Sequence, residues 1–215
     1  MKAAITDGKG NIWIEEVPVP EIGDYQCLCK ILASATCSGT DKKIINGEFP
    51  YPLNYPGILG HESVGIVIKK GEKVKNIKEG DIFLRPTSVY PGEKLNKYFS
   101  VWGCFAKYGI VTDTEAFYKD NPDKTLNNFT IFQQKIPSEI KISPTDATML
   151  ITLKETYSFI SKIGVRMNSK VAILGTGPVG MSFCFFSKLL GAYPVIVIGR
   201  RQEAIEYIKK VGADF

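Results

Sequence analysis

The chain has 215 residues, 44% of them hydrophobic and 23% charged, with a formal net charge of +5. That balance excludes a disordered or fibrous polymer and allows one large domain or two small ones. The basic pairs Lys69-Lys70 and Lys209-Lys210 are short and flanked by acids or turns, so they read as solvated faces and not as a nucleic-acid footprint.

In chain order, strands are predicted at residues 3–6, 12–17, 27–35, 62–69, 81–84 and 105–111. Turn residues such as Asp7-Gly8, Pro18-Val19-Pro20 and Glu79-Gly80-Asp81 punctuate them. Closely spaced short strands of this kind point to a small, partly closed β-barrel. A short helix is expected over 39–46. Residues 112–128 are polar and read as loop, and 129–134 are strand-like. Ser143 should cap a helix with Pro144 as its first residue, and a helical pattern runs from about 146 to 164. The tail alternates strand 170–174, helix 178–190, strand 194–198 and helix 202–211. That β-α-β-α order is the signature of a parallel sheet. The domain boundary is placed near 150, giving domains 1–150 and 151–215.

Five cysteines without paired spacing argue against a disulfide framework and for a reducing, cytoplasmic setting. The N-terminus runs directly into a strand instead of a charged-then-apolar leader. No apolar run approaches the roughly 18 residues of a membrane span, so no membrane association is expected.

The single histidine, His61, lies in Gly60-His61-Glu62, 24 residues after Cys37 in Cys37-Ser38-Gly39-Thr40-Asp41. A thiol, an imidazole and a carboxylate, each beside a glycine-marked turn, make a first shell for a catalytic zinc with an open fourth position. Far downstream, the apolar run Val171–Leu174 enters Gly175-Thr176-Gly177-Pro178-Val179-Gly180, a G-x-G-x-x-G turn between strand and helix. Gly175 would permit the tight turn, Gly177 would admit a pyrophosphate and Gly180 would allow close packing. The helix N-terminus would face the phosphates. After the second strand comes Gly199-Arg200-Arg201, with Glu203 as the nearest acid. Guanidiniums grip a 2′-phosphate with several donors, so NADP(H) is favoured over NAD(H).

On these motifs the chain resembles the zinc-dependent medium-chain alcohol and polyol dehydrogenases, in the branch of sorbitol, threonine and glucose dehydrogenases. Gly103-Cys104-Phe105-Ala106-Lys107-Tyr108 and Val211-Gly212-Ala213-Asp214 match two further segments of that family. The resemblance implies an α/β fold: a β-rich, GroES-like catalytic barrel, then the first half of a Rossmann doubly wound sheet. It implies that Cys37 and His61 bind zinc and that Thr40 hydrogen-bonds the substrate alcohol and passes its proton outward. Glu62 becomes either a direct ligand or a carboxylate behind the ligands. The implied reaction oxidises a small alcohol to a carbonyl, reversibly, with NAD(P).

Three departures bear on that expectation. The family's third ligand position falls on Ile151, which cannot bind metal. Glu155 lies one turn further, displaced about 6 Å by the helical rise, so Glu62 is the better substitute, in a set of Cys37, His61, Glu62 and water. The four-cysteine lobe for a structural zinc is absent, so one catalytic zinc and no structural zinc is expected. The sequence also ends inside the cofactor domain. An incomplete sheet leaves edges and an apolar face to be covered, which points to a fragment of a longer protein, or to a homo-oligomer or partner over that face. Competing readings are a non-catalytic remnant acting as a binding module, and a zinc-free quinone-type reductase of the same superfamily.

Overall fold

A computed structural model describes residues 1–215. The chain divides into two compact units, Met1–Thr148 and Met149–Phe215.

The first unit is built on two five-stranded sheets. Strands β1 (Lys2–Thr6) and β2 (Ile12–Glu16) form a hairpin, and β1 continues through β4 (Gly57–Ile58) and β8 (Tyr98–Ser100) to β7 (Lys94–Leu95). In the second sheet, β3 (Gln26–Ala35) lies between β9 (Tyr108–Thr112) and β5 (Glu62–Lys70), and β5 continues to β6 (Ile82–Leu84) and β10 (Gln134–Ile136). Period-two alternation sends Cys27 and Cys29 inward from β3, where they pack with Val67, Val74, Ile77, Phe83 and Val111. Ala3 and Ile5 do the same from β1, against Val17, Ile58 and Tyr98.

The β3–β5 register brings distant residues together. The two strands run antiparallel with Ala35 opposite Glu62. The end of one therefore meets the start of the other, and the residues just past Ala35 emerge beside the residues just before Glu62. Helix α1 (Ser38–Ile45) starts at that corner, with Cys37 as its N-cap.

Between β9 and the unit's end, the structure corrects three expectations. Residues 112–128 are not all loop: α2 (Thr114–Asp120) forms there, because the Asp113 side chain caps it by accepting from Ala116 N–H. The same carboxylate accepts from the backbone N–H groups of Lys75 and Asn76, at 2.8 Å each, tying α2 to the turn before β6. The strand-like 129–134 splits into a 3₁₀ turn (Asn128–Phe132) and β10, since the Asn127 side chain accepts from Phe129 N–H and bends the chain. The helix expected over 146–164 is broken at Thr148 into α3 (Pro144–Ala147) and α4 (Met149–Lys162). Ser143 does cap α3, accepting from Asp146 N–H.

In the second unit, β11 (Val171–Leu174) pairs in parallel with β12 (Val195–Ile198). Their inward residues Ile173, Val195 and Val197 pack with Cys184 of α5 (Pro178–Leu189) and Ile208 of α6 (Gln202–Val211). The other face is open, with Leu174 84% and Ile198 55% exposed. Asp214, just past α6, accepts from Lys188 Nζ at 2.9 Å and from Val195 N–H at 2.7 Å, fastening α5, α6 and β12 together.

Asp113 supplies a test of the first unit. Burial raises its pKa, but the donors from Asn76, Ala116 and Lys75 outweigh burial and hold it below its ordinary 3.8. A depressed folded-state pKa adds stability that is complete above the unfolded value and is lost as pH falls through the folded one. We therefore expect Asp113→Ala to cost about 2–4 kcal/mol near neutral pH. The deficit should shrink below about pH 4, as read by urea melts across pH.

Candidate metal centre

The antiparallel register of β3 and β5 delivers the site. Cys37 lies two residues past Ala35, and Glu62 stands opposite Ala35 with His61 just before it. A ligand atom from each of Cys37, His61 and Glu62 lies within 4.8 Å of the other two. Cys37 is partly accessible, whereas His61 is 7% exposed.

His61 is held from several sides. Its carbonyl accepts from Arg85 Nε at 2.9 Å, and the neighbouring Gly60 carbonyl accepts from Cys104 N–H at 2.9 Å. Gly60 adopts φ +96, and a Cβ there would lie 2.4 Å from the Phe105 ring and 2.6 Å from its backbone nitrogen. No other residue fits that corner. On the ring side, His61 Nδ1 lies 3.1 Å from Asp41 Oδ1, so Nε2 is the nitrogen that could ligate. The other Asp41 oxygen accepts from Cys37 N–H at 2.9 Å. One carboxylate thus lies against the imidazole and ties down the start of α1.

Asp41 is the residue that sequence reasoning missed. It stands in the Cys37–Asp41 motif, yet no spacing shows that its carboxylate reaches a side chain 20 positions later. Thr40, one helical turn from Cys37, hydrogen-bonds the Cys37 sulfur.

His61 and, after burial's opposing effect, Thr40 hold the Cys37 thiol below its ordinary value. Burial pushes the His61 imidazole down, but Asp41 and Cys37 outweigh it and raise it to about 9. The lowered thiol and raised imidazole reflect a thiolate and an imidazolium stabilising each other beside Asp41, and the sulfur, nitrogen and carboxylate gathered there are donors that zinc accepts. The remaining thiols are buried, and burial pushes Cys27 and Cys104 up to about 12 and raises Cys29 and Cys184 as well.

In the second unit, Gly175 turns at φ +115 directly after β11. Gly177, the N-cap of α5, has no atom within 4 Å of a would-be Cβ. Pro178 is the first helical residue, and Val179 is 48% exposed. A Cβ on Gly180 would lie 2.1 Å from the Gly175 carbonyl oxygen, so α5 can approach the turn only over a bare Cα. Gly199 packs against Thr176 in the same way, and Arg200 and Arg201 are accessible at the start of α6.

The sequence profile of the alcohol dehydrogenase GroES-like domain matches residues 23–121. Sorbitol dehydrogenase of Mus musculus is 27% identical over 219 residues, covering 98% of this chain and 58% of its own. An alcohol dehydrogenase of Rhizobium meliloti (strain 1021) is 30% identical over 230 residues, covering 100% of this chain and 62% of its own. Among solved structures, a protein described as a zinc-binding dehydrogenase from Sinorhizobium meliloti 1021, bound to NADP, superposes with TM-score 0.76 at 26% identity. That match covers 99% of this chain and 60% of the other.

Along its length the chain is similar to zinc-type alcohol and polyol dehydrogenases.

It spans about 60% of the length of the dehydrogenases it matches. The GroES-like match lies in the first unit, and the second carries a partial Rossmann-like sheet. Ile151 is a fully buried aliphatic residue.

Two outcomes are expected. Gly60→Ala should lower stability by about 2–4 kcal/mol, and it should remove divalent-metal binding because His61 is displaced. Both are measurable by thermal melts and metal titration. In chelator-treated native protein, a bulky thiol reagent should label Cys37 alone, since Cys27, Cys29, Cys104 and Cys184 are buried. Peptide mapping reads this directly.

Proposed function

We propose that this chain carries the alcohol-binding and metal-binding part of an NAD(P)-dependent zinc dehydrogenase for a small alcohol or its carbonyl product. The observation that carries the proposal is the convergence of Cys37, His61 and Glu62 with Asp41 behind the imidazole. Cys37, His61 and Glu62 would hold one zinc. Bound zinc supplies Lewis acidity that draws down an alcohol's pKa, and a bound nicotinamide supplies the hydride acceptor. Asp41 keeps the imidazole in its ligating tautomer. Thr40 Oγ1 takes the proton leaving the substrate hydroxyl and passes it toward solvent. The carbinol carbon gives up its hydrogen as hydride, so one proton and one hydride leave and a carbonyl remains.

Gly175, Gly177, Pro178, Val179 and Gly180 would form the dinucleotide cradle, open at Gly177 where a phosphate must approach. Gly199, Arg200 and Arg201 would meet the adenosine ribose, and the two accessible guanidiniums favour NADP(H) over NAD(H). The open face of β11 and β12 would be covered by further chain or by another copy. Free thiols fit a reducing cytoplasm, and no helix is long and apolar enough to cross a membrane.

The buried aliphatic Ile151 favours a second reading, a metal-free binding remnant. Elemental analysis separates the two. The dehydrogenase reading expects about one zinc per chain, lost in Cys37→Ser and weakened roughly 10–100-fold in Asp41→Ala. Native protein that takes up no zinc removes that reading. For the cofactor, NADPH should bind more tightly than NADH, and Arg200→Ala with Arg201→Ala should abolish the difference. Equal binding of the two by the native chain would overturn the NADP(H) preference.

A further inference from the structure

The first unit has a cleft beside the metal-site residues that the sequence did not disclose. It measures about 240 Å³ and is lined by Leu53, Pro91, Ser100, Trp102, Phe129 and Phe132, with Asn127 and Asn128 at one side. Its walls are braced by ring contacts. Phe129 and Phe132 meet at 6.0 Å between centroids, and Trp102 stands edge-on to Phe49 at 5.0 Å. Trp102 also connects the cleft to the metal site, its ring centroid lying 6.0 Å from that of His61. This indole is held there at some cost. Trp102 has φ +71, a conformation bulky residues avoid, and such strain concentrates at ligand-binding positions. Thr87 Oγ1, 2.6 Å from the Trp102 carbonyl, secures the turn.

The cleft's polar groups are few and mostly committed. Asn127 Nδ2 donates to the Pro91 carbonyl, and Asn127 Oδ1 accepts from Phe129 N–H. Ser100 Oγ is different: it is buried and has no hydrogen-bond partner within the protein. It lies beside Gly103 with the Thr87 and Ser88 hydroxyls, closed to the cleft, so the accessible wall is chiefly apolar.

We propose that this cleft takes the carbon skeleton of the substrate, and that the substrate is a monocyclic aryl carbinol or its carbonyl counterpart. This rests on the dehydrogenase reading for its chemistry, but not for its binding. An apolar cavity of about 150 Å³ accepts benzene, so the cleft of about 240 Å³ accepts a ring with a short carbinol arm. A polyol is the wrong match. It would bury several hydroxyls against Leu53, Trp102, Phe129 and Phe132, and unpaired hydroxyls in such a wall bind poorly.

The test uses the 215-residue chain carrying Trp13→Phe, so that Trp102 is the one indole. Protein stripped of metal and free of nicotinamide is titrated with 1-phenylethanol and with sorbitol, following Trp102 emission and, independently, heat of binding. The aryl alcohol should bind roughly tenfold or more tightly than sorbitol. Leu53→Trp, which fills the cleft, and Phe132→Ala, which opens its exposed wall, should each weaken it several-fold while far-UV circular dichroism is unchanged. Sorbitol binding as well as 1-phenylethanol, or aryl binding that survives both substitutions, overturns the proposal. Zinc uptake separates the two readings. A chain that takes up zinc without aryl preference loses only this inference. One that prefers the aryl ligand but takes up no zinc keeps the cleft and loses the dehydrogenase reading.

Discussion

The pairing of β3 with β5 is the constraint from which the site arises. Setting Ala35 opposite Glu62 makes a thiol and an imidazole, separated by 24 positions in sequence, neighbours in space. Nothing else in the first unit has comparable leverage. A slip of one residue would turn the alternation of both strands inside out, exposing Cys27, Cys29 and Val67 and withdrawing Glu62 from Cys37. The same core that stabilises the sheet therefore guarantees the alignment of the donors.

Around that corner the chain layers its supports. Asp41 faces His61 with one oxygen and the Cys37 backbone with the other, so the first turn of α1 and the start of β5 are oriented by a single carboxylate. Arg85 reaches the His61 carbonyl from β6's end, and Gly60 lets Phe105 lie against the backbone where any side chain would collide. Charge and geometry agree: Asp41 and Cys37 raise the His61 imidazole, while the other thiols are buried and raised. The result is a thiol, an imidazole and two carboxylates held at one corner among strands.

The second unit obeys a different logic, one of close backbone approach. Gly180 under the Gly175 carbonyl and Gly199 against Thr176 are contacts that any Cβ would break. Asp214 then links α5, α6 and β12 through Lys188 and Val195. These are steric requirements, so they are written in the chain as glycines at fixed spacing, and the fingerprint is legible for that reason.

Local physics makes much of this protein readable without coordinates. Alternating apolar residues in 27–35 and 62–69, the Ser143 cap and the Gly175–Gly180 turn depend on near neighbours, and the family motifs grow out of them. Helix α2 is hidden from such a reading because its cap, Asp113, does its other bonding to Lys75 and Asn76, far back in the chain. The 3₁₀ turn before β10 passes for strand because apolar Phe129, Ile131 and Phe132 mimic alternation while Asn127 bends the backbone. The candidate donors are legible in the sequence: which thiol, which imidazole, which carboxylate. That they share one corner, that Asp41 stands behind the ring, and that a cleft lined by Trp102, Phe129 and Leu53 adjoins it were decided only by tertiary packing, because each requires side chains tens of residues apart to be pressed together by the same sheets.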